Sequence, residues 1–364
     1  MRVLVTGHLG YSGTMLVPML LAEGHAVVGM DSDLYVASHR VGTGILPAKP
    51  GLTDQEHPMQ VLVTGGAGFI GSHLVEALVA RGCRVRVLDN LSSGVAERLA
   101  HLGAAVELRT GDVRDAAAVT AAATGVEAIF HLAALVSVTQ SVAQPLATFE
   151  VNHGGTLNVL EAARHSGVRR VVLASTCAVY GDTTRLPVQE RDPLAPISPY
   201  ASAKLAAEQA CKLYTGLYGV EAVALRFFNV YGPRQDPASP YAAVVPRFLA
   251  ALRAGGQPTI YGDGLQTRDF IYVGDIVAAL WAAATLPGVA GALYNVGRGE
   301  ATSVLALANG IGALLGVPVQ PTFLPARAGE VRHSRADVSA FAAAGFTAAV
   351  GLHAGLAHVV AAPA

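Results

Sequence analysis

Two side chains four residues apart carry the first chemical suggestion in this sequence: Tyr200 and Lys204, in PYASAK. Positions i and i+4 of a helix share one face, about a turn apart. A lysine ammonium there stabilises tyrosinate and draws the phenol from about 10 toward neutral pH. Tyr200 then reads as a general acid–base. The motif alone occurs often by chance, and a surface tyrosine beside a solvated lysine is the plain alternative. Its company gives it weight. STCAVYG (175–181) lies upstream and puts Thr176 at the end of an apolar, strand-like run. Ligands of open α/β sheets bind beyond the carboxyl ends of strands, so Thr176 is placed to donate a hydrogen bond to a substrate hydroxyl. Further upstream, GGAGFIG (65–71) has the glycine spacing of a dinucleotide cradle, and Asp89 ends the strand that follows it. The glycines permit a tight turn and close backbone approach, and the helix start offers roughly half a positive charge to a pyrophosphate. The carboxylate accepts hydrogen bonds from the adenosine ribose, which favours NAD over NADP.

These groups meet only if a parallel sheet delivers them to one edge. After Asp89 the pattern supplies it: strands AAVELR (104–109), VEAIFHLAA (126–134), RRVVLAST (169–176) and VEAVALRFFN (220–229) alternate with helices such as DAAAVTAAATG and TFEVNHGGTLNVLEAARHSG. Strands alternating with helices predict a doubly wound parallel sheet, and continuous apolar runs suit strands buried on both faces. The opening is duplicated. Residues 2–32 align with 60–90 without gaps and are identical at close to half the positions, so RVLVTG, GHLGYSG and Asp31 mirror QVLVTG, GGAGFIG and Asp89. A Gly-, Pro- and polar-rich stretch follows Asp31 in place of a third strand and reads as a linker. The cofactor is therefore assigned to 65–71. The expected class is α/β: a Rossmann-type doubly wound parallel sheet with a smaller C-terminal α/β substrate lobe, preceded by a partial duplicated βαβ segment. The boundaries are 1–58 for the duplicate and linker, 59–233 for the NAD-binding domain with returning strands from 269–297, 234–268 and 298–350 for the substrate lobe, and 351–364 for a tail. Half the chain is apolar (52%) and 14% is charged, with a formal net charge of −1. Scattered basic residues argue against a nucleic-acid surface. Cys83, Cys177 and Cys211 show no metal-ligand spacing, no metal is expected, and a reduced, cytoplasmic setting is the simple reading. No apolar run reaches membrane-spanning length.

Taken together, TGGAGFIGSHLV, LDNLSSG, GDVRD, FHLAA, NHGGTLNVLEAA, ASTCAVYG, PYASAK, LRFFNVYGPRQ, IYGDGLQTRDFIYVGD and RAGEVRHSRAD, in this order over about 59–350, resemble the extended short-chain dehydrogenase/reductases. Within that family the resemblance is to the NAD-dependent nucleotide-sugar epimerases. It implies catalytic Thr176, Tyr200 and Lys204. It implies NAD contacts at Gly65, Gly68, Phe69, Ile70, Gly71, Asp89, Asn90, Asp112, Val113, Ala133 and Ala134, with Lys204 also holding the nicotinamide ribose. Asn229, Arg268 and Arg327 match diphosphate contacts, and Tyr261 matches an aromatic that packs on the nucleobase, commonly uracil. The implied reaction inverts C4 of a UDP-hexose through a 4-keto sugar. Cys177 and Ala178 stand where related dehydratases and decarboxylases carry an added acid, which disfavours both. Ser334 matches a position where a bulky tyrosine narrows the sugar pocket, so serine implies room for a 2-acetamido group. The family commonly dimerises through two helices of the cofactor domain, here 143–166 and 199–218. The alternatives are another nucleotide-sugar enzyme (uronate epimerase, decarboxylase or reductase) and a non-catalytic NAD-binding protein.

Overall fold

The computed structural model describes residues 2–6, 26–30, 58–237, 243–326 and 331–362. Seven short runs rich in Val, Leu and Ile pair into one parallel sheet: β1 (Gln60–Thr64), β2 (Arg84–Asp89), β3 (Val106–Thr110), β4 (Ala128–His131), β5 (Arg170–Thr176), β6 (Glu221–Phe227) and β7 (Leu293–Val296). Their spatial order is β3-β2-β1-β4-β5-β6-β7, so the chain reverses direction across the sheet between β1 and β4. At such a reversal the connections leave in opposite directions and a crevice opens at the carboxyl ends of the strands.

Alternation along the strands explains the two layers of helices. Val61, Val63, Val85, Val87, Phe130 and Val172 point to one face; Leu62, Leu88, Ile129, Val171 and Leu173 point to the other. The connecting helices are α1 (Phe69–Ala80), α2 (Ala116–Ala123), α3 (Gly155–Ser166) and α4 (Pro199–Tyr218). Leu74, Val75 and Leu78 of α1 cover the first face; Val119 of α2, Leu160 of α3 and Ala207 and Cys211 of α4 cover the second. The run 148–167, which reads as one helix, is helical through Ser166, with a π turn at Glu150–Gly154 between the helix Pro145–Phe149 and α3.

The smaller lobe is built from α5 (Val244–Arg253), α7 (Val304–Leu315) and α8 (Leu352–Ala361), with short strand pairs at their edges; α6 (Val273–Thr285) returns the chain to the main sheet beside α1. The expected tail 351–364 is in part this last helix. Leu352, Leu356 and Val359 recur at helical spacing, and Leu356 and Val359 are buried against α7 and Tyr231. In the duplicate, Arg2–Thr6 pairs in parallel with Ala26–Met30, and the register from Arg2↔Ala26 to Thr6↔Met30 repeats that from Gln60↔Arg84 to Thr64↔Leu88. The glycine turn 7–13, Asp31 and the linker up to 57 lie outside the described residues. Among the described residues no helix is long and apolar enough to cross a membrane, and no group of three or more His, Cys, Asp or Glu could hold a metal ion.

Candidate active site

The crevice beyond β1, β2 and β4 has a volume of about 500 Å³. Gly65 turns the chain out of β1 with φ +71°, and a Cβ there would lie 2.7 Å from the Ala133 amide nitrogen; one on Gly71 would lie 2.1 Å from the Gly65 carbonyl oxygen. Only glycine fits either place, so this turn can lie flat beneath a ligand. α1 follows with Gly68 as a cap that offers no side-chain acceptor and no acidic residue in the first turn. Its free amide donors and positive dipole end suit a pyrophosphate. Phe69, Ile70, Gly68 and Gly71 line the crevice, as do Asn90, Val113, Ala133 and Ala134.

Asp89 lines the crevice too, and it also braces the turn: Oδ2 accepts from the Ala67 amide and Oδ1 from the Leu91 amide, both at 2.9 Å. Asp112 stands one residue before Val113. Its carboxylate accepts from Arg114 and, at 2.9 Å, from Asn90 Nδ2, and the Arg114 guanidinium holds it well below the usual carboxylate range. Behind Ala133 the polar groups form one directional chain. The Ala133 amide donates to Thr64 Oγ1 (3.3 Å), which bonds His131 Nδ1 (2.7 Å); His131 Nε2 bonds Thr156 Oγ1 (3.0 Å), which donates to the Asn152 carbonyl (2.7 Å). Because Thr156 spends its proton on Asn152, His131 carries its proton on Nε2. Burial, with Lys204 nearby, draws His131 down to about 3, so it stays neutral. It is a structural link rather than a ligand. Asn152, in the π turn, exchanges both its amide groups with Leu135 (2.8 and 2.9 Å), which fixes the loop after β4.

The catalytic candidates close one end of the same crevice. Ser198 caps α4 by accepting from the Ala201 amide (3.2 Å), and Pro199 occupies the first helical position, so Tyr200 and Lys204 lie in the first two turns. Thr176 ends β5. Its oxygen accepts from the Ala178 amide (3.1 Å) and its hydroxyl bonds the Tyr200 phenol. Lys204 Nζ donates to the Ala174 carbonyl (2.9 Å). The expected lowering of the Tyr200 phenol by Lys204 is not met in the protein alone. Burial pushes Tyr200 up to about 12, against the opposing pull of Thr176, and burial draws Lys204 down to about 8. A buried ion pair that local spacing had not disclosed steadies α4. Arg226 of β6 donates to both Glu208 oxygens (2.9 and 2.7 Å), and Ser175 Oγ donates to Glu208 Oε1 (2.5 Å). Tyr200, Lys204 and Glu208 fall at i, i+4 and i+8 of one helix face.

A second cleft, about 510 Å³, lies under the smaller lobe and adjoins the first: Val230 and Ala243 line both. Asn229, Tyr261 and Arg268 line it. So does the start of α5, whose cap Ala243 offers no side-chain acceptor. Ser334 lines neither cleft directly. Its amide donates to the Thr267 carbonyl (3.1 Å) and its hydroxyl bonds the Cys177 thiol, next to Thr176. Burial pushes Cys177 up to about 11, so its thiol stays protonated. Asp269 fixes this wall by accepting from the amides of Arg298 (2.7 Å), Gly299 (2.9 Å) and Ala336 (3.0 Å). Arg327 lies outside the described residues. Three arginines went unread in the sequence: Arg98 and Arg234, which line the first crevice, and Arg247, which lines the second cleft.

Comparison with known proteins decides the family. The model of the NAD-dependent epimerase/dehydratase family matches residues 61–297. The chain belongs to this family. Its cofactor is NAD, and it is an enzyme of the nucleotide-sugar class. The UDP-glucose 4-epimerase of Mycolicibacterium smegmatis is 44% identical over 288 residues, covering 77% of this chain and 90% of that one. A UDP-N-acetyl-alpha-D-glucosaminuronate decarboxylase of Bacillus cytotoxicus is 37% identical over 255 residues, covering 69% of this chain and 78% of that one. Among solved structures, the UDP-N-acetylglucosamine 4-epimerase of Methanobrevibacter ruminantium, in complex with UDP-N-acetylmuramic acid, superposes with a TM-score of 0.80 at 38% identity, covering 84% of this chain and 97% of that one.

Proposed function

We propose that this protein inverts C4 of UDP-hexoses through a transient 4-keto sugar, interconverting UDP-glucose with UDP-galactose and UDP-N-acetylglucosamine with UDP-N-acetylgalactosamine. One observation carries the reading. Thr176, Tyr200 and Lys204 line one crevice together with the glycine turn 65–71, a second cleft adjoins that crevice at Val230 and Ala243, and the neighbours Cys177, a protonated thiol, and Ala178 supply no second acid or base. Epimerisation by oxidation and reduction at one carbon needs a single proton-transferring group; dehydration and decarboxylation need more.

The cofactor's residues would be the glycine turn 65–71, the first turn of α1, Asp89 and Lys204. When bound, NAD supplies the hydride acceptor of the first half-reaction and the donor of the second, and in its oxidised form a positive charge in the crevice. Tyr200, as the tyrosinate that this positive charge and the Lys204 ammonium would favour, takes the proton of the C4 hydroxyl and later returns it. Thr176, whose oxygen is occupied by the Ala178 amide, has its proton free to bond Tyr200 or the sugar oxygen. Lys204 keeps two donors beyond its bond to Ala174 for the nicotinamide ribose. Asn229, Arg268 and Arg327 hold the diphosphate while the keto sugar turns, and Tyr261 packs on the base. Cys177, next to Thr176, and Ser334 are both small and line neither cleft, so neither narrows the space for an acetamido group; the relative complexed with UDP-N-acetylmuramic acid supports that tolerance.

We infer also that two chains associate through α4 and the helices before α3. Leu146 (79% exposed), Val142 and Leu213 form an apolar surface there, which sedimentation equilibrium would show as a two-chain mass. The function is tested by incubating the purified protein with UDP-glucose, UDP-N-acetylglucosamine and UDP-glucuronate without added NAD. The first two giving their C4 epimers is the expected result. Carbon dioxide release from the uronate without either epimerisation would overturn the reading in favour of decarboxylation, the activity named for the Bacillus cytotoxicus relative.

A further inference from the structure

We propose that Arg247 is a substrate-binding residue, a cationic contact to the diphosphate of the nucleotide sugar held at the first turn of α5. The proposal rests on the UDP-hexose reading and adds to it a residue that no motif match assigned. Arg247 is exposed and lines the second cleft, and its side chain makes no hydrogen bond or ion pair among the described residues. Other arginines of the lobe are committed: Arg332 to Asp263 at 2.7 Å, Arg253 to the Val360 carbonyl at 2.6 Å, Arg298 to Glu300 at 2.8 Å.

Its position is electrostatically odd for a protein without a ligand. The start of α5 has no side-chain cap and no acidic residue in its first turn, and Pro246 contributes no amide donor. A cation at the positive end of a helix is unfavourable, and nothing described on this chain offsets it. An anion in the cleft would. Helical side chains lean toward the N-terminus, which turns Arg247 toward the start of α5; Ala243, Val244, Asn229 and Arg268 line the same cleft. A diphosphate carries two separated anionic groups and can engage Arg268 with one and Arg247 with the other, each through charge-assisted bonds. Gln266 gives an independent sign that this cleft is built for a ligand. It is 6% exposed and lines the cleft; its nitrogen donates to the Tyr261 carbonyl at 2.7 Å, while its buried oxygen has no partner.

The test is isothermal titration of the NAD-loaded protein with UDP and with uridine, for wild type, Arg247→Ala and Arg247→Lys. Arg247→Ala should weaken UDP about tenfold, the loss of roughly one charge-assisted contact. Arg247→Lys should recover most of it, and uridine should bind all three alike. In turnover the loss should fall on KM for the UDP-sugar. Arg247→Ala binding UDP as tightly as wild type would overturn the proposal alone. Equal weakening of UDP and uridine would overturn the diphosphate assignment. Wild type failing to bind UDP would overturn the functional reading and the proposal with it.

Discussion

In the proposed reaction Tyr200 carries the proton transfer, and its surroundings show how much a short motif discloses. That Thr176, Tyr200 and Lys204 come together in one crevice was legible because their spacing is local: one helix turn and one strand end. Their electrostatics were not legible, because the push of burial on Tyr200 to about 12 comes from the packing of the whole site. Tyr200→Phe keeps the ring and its packing but removes the proton carrier; turnover should fall by about 10²–10⁴-fold while the bound NAD content of the purified protein stays at the wild-type level. Unchanged turnover would remove Tyr200 from the mechanism. Ser334 tests the sugar wall. Its hydroxyl reaches Cys177, so Ser334→Tyr would push a ring toward the strand end that carries Thr176. The expected result is a selective loss of activity on the N-acetylated pair, with UDP-glucose conversion retained; equal loss on both pairs would contradict the assignment.

Elements were read well where burial is two-sided and poorly where the apolar spacing is silent or diluted. The inner strands came through to within a few residues because a strand buried on both faces has to be continuously apolar. The π turn at Glu150–Gly154, inside a run read as one helix, leaves no mark in the apolar spacing; Asn152 within it exchanges two hydrogen bonds with Leu135, on the loop after β4. Helix α8 was missed because alanine, glycine and histidine dilute its apolar stripe. The Glu208–Arg226 pair was hidden for a related reason: one partner is on α4 and the other on β6, with both side chains buried. That pair ties the helix bearing Tyr200 and Lys204 to the sheet. Glu208→Ala strands a buried guanidinium, and should destabilise the protein by about 3–5 kcal/mol. Urea denaturation measures this directly, and a loss below about 1 kcal/mol, the scale of an exposed pair, would contradict a buried, binding role for the contact.

At the scale of the molecule, the chain carries two glycine-turn openings, and among the described residues the second leads into the seven-stranded sheet. The duplicate's two strands repeat the register of β1 and β2, so the copied sequence keeps the copied pairing. Nothing in the described site draws on it, since both clefts are lined by residues from 65 onward. Removal of residues 1–58 should leave epimerase activity intact, assayed on the truncated protein; loss of soluble, active protein would show that the main domain depends on the duplicate. The family and the cofactor were readable because motif blocks recur in a fixed order along the chain. The nucleotide-sugar class was readable from the same blocks; the sugar was not, because the residues matched to its pocket, Cys177 and Ser334, are distant in sequence. The central claim is that a hydride leaves C4 and returns to it within one bound molecule. The direct measurement is the isotope content of product formed from UDP-glucose deuterated at C4, by the purified protein without added NAD. Full retention of deuterium at C4 of UDP-galactose is predicted; release of that deuterium to solvent would contradict the account.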